Sequence, residues 1–548
     1  MLNAIFIFFL SLLVYCYLIY PLFFNQLNLQ RIPGPYHYKF SKFFIYNKMR
    51  KEQGMLHIHE LHQKYGPIVQ VSPNEVSIID RETVKKIYLN DNYPKEFIKN
   101  KKTQNGFYSQ FGNFSNRNLF STGDTKEHIN KRKYLQKIYS KTFVLKHADF
   151  LNSKIHDCIN VLISNKGKDI DVYSVFGALA MDVVTGFEFG FESSSDFLKI
   201  LDFKGKDLSF ENEIFNSFRD SSSLWFWVCM APQLYEYIAY FTGKEETMKT
   251  GRKWIWEKLQ TVANNYNSED LKKSDHTMSL LFNKYDRDLA KIGSEIADHT
   301  LAGADTTQTT LTYLLWQLAR PCNSEWKFKL HKEILATFTA ENDLIKIDDY
   351  NKLDLEMPIM NAIIKENFRL HAAIPGSERR FVPPGKTLKV GGYSIHEGIV
   401  VSTQPYTLHR NEDVFGEDID QFKPERWLKN FNESDAEYQS RMKLFDKYTM
   451  TFGQGNRMCL GMHLAVTEIK ACVASIFGNK HLIDYSISKD WCRNINDKQS
   501  DVLMGYGKKL FDKTRDKEEY LKISDTDKMR MADSYTIRPL YDECWITI

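Results

Sequence analysis

The chain is predicted to be mainly helical with small β-sheets, an α+β arrangement, and to carry one membrane-spanning helix ahead of its folded body. Three observations carry this. Apolar residues recur at helical spacing across residues 286–320 and in several segments between residues 145 and 256. Short runs rich in Val and Ile, at 68–73 and 76–79, read as two strands around a turn, and 391–401 reads as a hairpin. Residues 2–24 hold no charge and are dominated by Ile, Phe, Leu, Val and Tyr, a length close to the roughly 20 residues that span a bilayer.

At the amino terminus, 1–30 is expected to be an anchor and 31–548 a single large body. A cleaved signal peptide is the alternative for 2–24, but no basic residue precedes it and the apolar run is long for such a peptide. Arg31, Lys39, Lys42 and Lys48 follow the segment, a bias that leaves the body on the cytosolic side. Pro33 and Pro35 then stiffen the connection, each fixing its own φ and restricting the residue before it. Residues 105–119, rich in Gly, Asn, Ser and Phe, form either a solvated loop or a segment that touches substrate. The aromatic run at 224–235 suits core or membrane contact.

Four motifs carry chemistry. His128 and Arg132 stand at i and i+4, on one helix face. The long helix is interrupted at Ala302-Gly303-Ala304-Asp305-Thr306-Thr307, where glycine and threonine cost stability relative to alanine. Small residues there admit a flat ligand, a threonine hydroxyl bends the helix by bonding a carbonyl one turn back, and Asp305 with Thr306 supplies an acid and an alcohol for proton delivery. Glu366 and Arg369 form an i,i+3 pair. Finally, Phe452-Gly-Gln-Gly-Asn-Arg457-Met-Cys459-Leu-Gly461 is a glycine-rich loop that presents a thiol and runs into a helix at Met462. The helix dipole there favours a thiolate.

The last string resembles the haem-binding signature F-x-x-G-x-R-x-C-x-G of the cytochrome P450 family, and residues 302–307 resemble its A-G-x-D-T-T. Glu366-Asn-Phe-Arg369 with Pro424-Glu-Arg426-Trp427 is similar to its E-x-x-R and P-E-R-W pair. The resemblance, closest to fungal microsomal members, implies the following expectations. Cys459 ligates the iron of haem b, with Phe452 and Gly461 part of the same binding loop. His128, Arg132, Arg380 and Arg457 hold the propionates, with Arg379 a weaker candidate, while Ala302 and Gly303 lie against the macrocycle. Thr306 orients oxygen and Asp305 relays protons. Glu366, Arg369 and Arg426 are buried and structural, and Ala372, Ala373 and Ile374 line the substrate side. The implied reaction is monooxygenation of a lipophilic substrate with O2. Electrons would come from a separate NADPH-cytochrome P450 reductase, with cytochrome b5 as a further donor, since the chain ends too soon for its own reductase domain. The protein would be a monomer in the endoplasmic reticulum membrane. A haem-thiolate isomerase or dehydratase that needs no O2, and a haem-binding protein without turnover, are the alternatives.

Composition narrows the rest. The 73 Lys and Arg against 69 Asp and Glu leave a net charge of +4, without the basic excess that nucleic-acid binding requires. Eight scattered cysteines with no C-x-x-C pair suit a reducing compartment and provide no zinc spacing. Residues 488–531 are long, Lys- and Asp-rich and outside any family motif, and are expected to be an exposed insertion before the last hairpin.

Overall fold

The computed structural model describes residues 29–200, 244–265, 275–341, 344–489, 524–540 and 542–548, with single positions at 8, 11, 230, 237, 240 and 241. The expected membrane segment at 2–24, the aromatic run at 224–235 and residues 490–523 therefore lie outside the described residues, those single positions apart.

Five helices position the site. Helix α1 (Thr125–Leu135) is capped by Asp124, which accepts the Glu127 N–H, and α2 (Val172–Phe189) by Asp171, which accepts that of Tyr173. Each cap satisfies a donor that the first turn leaves open. Among the described residues α2 alone is long and apolar enough to cross a membrane, yet all of it is buried: it is the central core helix. Against it lies α3 (Leu289–Ala319), started by Asp288, whose carboxylate accepts from Ala290 and Lys291. The periodicity predicted a start at 286, but Asp286 and Arg287 take positive φ angles and form the preceding turn.

The predicted interruption of α3 is absent. The helix runs unbroken through 302–307 because its hydroxyls bond inward: Thr306 Oγ1 donates to the Ala302 carbonyl at 2.8 Å and Thr310 Oγ1 to that of Thr306 at 2.8 Å. Helices α4 (Pro358–Leu370) and α5 (Met462–Gly478) pack on α3 and share the main core.

Strands β1 (Ile68–Ser72), β2 (Glu75–Ile78), β3 (Glu378–Phe381) and β4 (Val400–Thr403) form one sheet in the order β1-β2-β4-β3, with β2 and β4 parallel. The segment expected as one hairpin at 391–401 divides. Gly391 and Gly392, both at positive φ, turn Thr387–Val390 back into Tyr393–His396, and the later residues leave to become β4. Near the carboxy terminus β5 (Met531–Ser534) and β6 (Thr536–Pro539) make the expected last hairpin, with Tyr535 at its tip. The described residues just before it are mixed: Asp525 accepts from Trp316 Nε1 and pairs with Arg320, both at 3.1 Å, and Lys528 and Met529 are buried, while Ser524, Thr526, Asp527 and Arg530 are exposed. A second core lies under the sheet and includes Leu29 with Ile32 and Ile68, so packing begins no later than Leu29, two residues before Arg31, where the body was expected to start.

Candidate active site

The site is built from the loop before α5. Gly453 and Gly455 sit at φ 69° and 70°, and a β-carbon on Gly455 would lie 2.1 Å from the Tyr88 carbonyl oxygen, so glycine is required there both by conformation and by space. The loop closes on itself through the Cys459 N–H, which donates to the Phe452 carbonyl at 2.8 Å, and Phe452 packs edge-on against Phe368 of α4. Cys459 is accessible only in the sense that it lines an internal cavity, which it shares with Phe452, Arg457 and Gly461 from its own loop, Ala302, Gly303 and Thr306 from α3, His128 and Arg132 from α1, and Arg380 from β3.

Opposing influences act on the sulfur. Burial pushes the Cys459 thiol up, and the N–H groups of Gly461 and Met462 together with Arg132 offset only part of this. Gly461 thus serves through its N–H. Its φ is −85°, which any residue adopts, and a β-carbon there would meet only Tyr139 at 3.9 Å.

The basic residues cluster on the same cavity. His128 is buried rather than part of a charged exposed face, and burial followed by Arg457, Lys95, Arg132 and Arg380 pushes its pKa down to about 2. Its Nδ1 has no hydrogen-bond partner. Arg132 donates to the Met458 carbonyl at 2.6 Å, bracing the cysteine loop from α1. Arg457 donates to the carbonyls of Thr122 at 2.5 Å and Gly123 at 2.8 Å, while its Nε is buried and unpaired. Burial and Arg380 lower its pKa to about 9. The two adjacent arginines of β3 separate: Arg379 is committed to Glu75 at 3.0 Å, whereas Arg380 lines the cavity and donates to the Arg379 carbonyl at 2.8 Å.

The expected supports are buried as a unit. Glu366 and Arg369 are fully buried and paired at 2.7 Å, Trp427 Nε1 donates to Glu366 at 2.9 Å, and Arg426 reaches the same carboxylate at 3.4 Å. Arg369 also donates to the carbonyls of His409, Ile419 and Gln421, fixing the loop that leads toward Cys459 onto α4.

Two α3 residues depart from expectation. A β-carbon on Gly303 would lie 2.7 Å from Val184 Cγ2, so its smallness serves packing against α2 as much as the cavity, and Ala302 presents the open surface. Asp305 is half-buried and is not among the cavity-lining residues.

A profile of the family described as Cytochrome P450 matches residues 33–485. The chain belongs to the cytochrome P450 family. As an enzyme of this monooxygenase family it uses haem b, held through a cysteine thiolate. Similar proteins include "Cytochrome P450 monooxygenase tazI" of Aspergillus terreus, 26% identical over 461 residues covering 82% of this chain and 86% of that one. Another is "Cytochrome P450 monooxygenase stcB" of Emericella nidulans, 26% identical over 469 residues, 82% of this chain and 81% of the relative. "Benzoate 4-monooxygenase bphA" of Aspergillus niger is 26% identical over 501 residues, 85% and 90% of the two chains. The P450 cavity fits the cofactor: a flat macrocycle bearing two carboxylates needs a sulfur, an open wall and cations, and here buried donors of His128 and Arg457 stand without partners.

The sequence reading missed Lys95, Asp298, His299, Glu468 and Tyr535, all of which line the same cavity. Asp298 was findable, since 298, 302 and 306 are spaced by four and share a helix face. Lys95 and Tyr535 had no local signal, because only the folded chain brings them to the site.

Proposed function

We propose that the chain is a membrane-anchored monooxygenase that inserts one atom of O2 into a lipophilic organic substrate. The observation that carries this is the shared cavity in which Cys459, Thr306 and the basic side chains of His128, Arg132, Arg380 and Arg457 meet. Haem supplies the oxidising chemistry when bound, since electron density from a cysteine thiolate favours O–O cleavage.

The chain's own residues do the following. Cys459, whose sulfur accepts from the Gly461 and Met462 N–H groups, would hold the haem iron as a thiolate, its proton passing to solvent. His128, neutral in its buried site, and the three arginines donate to the propionates, charge-assisted bonds of which each is about twice as strong as a neutral one. Ala302 leaves room above the macrocycle, and Ala373 and Ile374 bound the substrate side of the cavity. Thr306 holds a proton on Oγ1, resting on the Ala302 carbonyl, from which it can turn toward the cavity. Asp305, half-buried on the next position, passes protons from the solvent side.

The body, anchored by the segment at 2–24, works on the cytosolic face of the endoplasmic reticulum as a monomer. It takes electrons singly from a separate NADPH-dependent reductase, with cytochrome b5 as a further donor. The test is turnover of a panel of lipophiles by the purified holoenzyme with reductase, NADPH and isotopic O2. One labelled oxygen atom in the product is expected. Turnover without O2 would make the protein an isomerase or dehydratase, and absence of substrate-dependent NADPH consumption would make it a haem binder.

A further inference from the structure

Most charged groups around the cavity already have partners. Glu188 accepts from Tyr139 and pairs with His299 at 3.2 Å, and Glu295 accepts from the Leu119 N–H at 2.7 Å and pairs with Lys131 at 3.3 Å. Lys95 donates to the Phe120 carbonyl at 3.1 Å and stands 3.9 Å from the rings of Tyr108 and Phe120. Beside burial, Arg380 and Arg457 lower its pKa more than Glu378 and Asp298 raise it, so it belongs to the basic cluster that the propionates neutralise.

Two cavity carboxylates are exceptions: Glu468, buried on α5 with its Oε1 unpartnered, and Asp298. Asp298 lines the cavity from α3, on the stripe that Ala302 and Thr306 continue, and its carboxylate makes no hydrogen bond or ion pair among the described residues. Burial pushes its pKa up to about 7, and His299 and Lys95 nearby offset only part of that rise without bonding the carboxylate. The walls beside it are aromatic: Tyr108, Phe120 and Tyr535 line the same space, with ring centroids 5.2 Å apart for Tyr108 and Phe120 and 5.9 Å for Phe120 and Tyr535. A carboxylate with no directly bonded partner in such surroundings is costly unless an occupant supplies a donor to it.

We propose that Asp298 is a specificity-determining residue, binding the protonated amine of a lipophilic basic substrate whose apolar body lies against Tyr108, Phe120 and Tyr535. An ammonium is preferred to a neutral hydroxyl because a charged donor gains more from a carboxylate shielded from water. An aromatic acid, the substrate named for the Aspergillus niger relative, would set like charges against each other here. The proposal deepens the monooxygenase reading by naming the substrate class, but its test reads binding and needs no turnover.

The experiment is equilibrium dialysis of the haem-loaded full chain with three matched probes: N,N-dimethyl-4-phenylbutylamine, its carbon isostere (5-methylhexyl)benzene, and 5-phenylpentanoate. The tertiary amine is chosen because it is a poor ligand for iron. The amine is expected to bind about 10- to 100-fold more tightly than the isostere, the range of a hydrogen bond to a charged group. Asp298→Asn should erase that preference while leaving isostere binding unchanged, and Asp298→Glu should restore part of it. Equal binding of amine and isostere to the unaltered protein, or an amine preference that survives Asp298→Asn, would overturn the proposal. So would tighter binding of the acid, which would make Lys95 the recognising group. The comparison on the unaltered protein decides the matter even where the variants fail to take up haem. Amine preference without oxygen-dependent turnover would uphold the site and reject the monooxygenase.

Discussion

Cys459 meets the cavity as a group whose anion burial opposes, so its ionisation depends on what it binds. Cys459→Ala is expected to abolish the carbon monoxide difference band characteristic of a thiolate-ligated haem, and persistence of that band would refute the assignment of the ligand. Thr306 presents a different case. Its hydroxyl donates to a carbonyl that belongs to a continuous helix, so Thr306→Ala should cost no more than about 1 kcal/mol of stability and leave lipophile binding intact. The role proposed for it is proton handling, and the expected outcome is a rise in hydrogen peroxide released per NADPH consumed. Tight coupling in that variant would count against the role. Removing Arg369 takes the closest ion-pair partner from the buried Glu366 carboxylate, leaving it Trp427 and the more distant Arg426, and takes a donor from three carbonyls at once, so Arg369→Ala should destabilise the protein by about 3–5 kcal/mol, measured by chemical denaturation. The identities of these residues were legible from their spacing in the chain. Their burial, on which the magnitudes depend, was not.

Helices α2 and α3 meet along a seam that the sequence did not expose as such. Gly303 was read as making room for a ligand, yet its missing β-carbon also accommodates Val184. Gly303→Ala should therefore cost about 1–3 kcal/mol through overpacking, and Val184→Ala in the same chain should recover much of it, a coupling that a double-mutant cycle measures. Further along the seam, His299 pairs with Glu188. Burial works to lower the His299 pKa, but the Glu188 carboxylate, with Glu295 and Asp298 nearby, reverses this and raises it from 6.5 to about 9. A raised histidine contributes stability that is complete below pH 6.5 and is lost as pH rises through about 9. The stability gap between the native chain and Glu188→Gln should accordingly be widest below pH 6.5 and close toward pH 9. A gap that grew with pH would reject the pair. The unbroken course of α3 has the same origin as its misreading: threonine lowers intrinsic helix propensity, but inside a packed core its hydroxyl bonds within the helix and the neighbouring elements supply the stability.

For the whole molecule, the second core sets where the chain can be cut. Leu29 and Ile32 are buried beneath the sheet, so a chain starting at Leu29 should fold and take up haem, whereas one starting at Pro33 should be less stable by the loss of two buried aliphatic side chains, roughly 4–10 kcal/mol. Thermal denaturation of the two truncated proteins checks this. The cavity is likewise a property of the assembled chain, with walls drawn from α1, α3, β3, the loop before α5 and the tip of the β5–β6 hairpin.

Local spacing by itself singled out the candidate residues for the chemistry. A cysteine in a glycine-bounded loop, an acid-alcohol pair and a salt bridge at i,i+3 are written within a few neighbouring positions, where chain geometry alone relates them. The tertiary structure decided what those groups face. It put Asp298 on the cavity wall and left Asp305 off it, gave Gly303 a neighbour on another helix, and set Cys459 in a cavity whose surroundings oppose its charge. Burial, dielectric and partnership arise from residues far apart in the chain, and no local pattern encodes them.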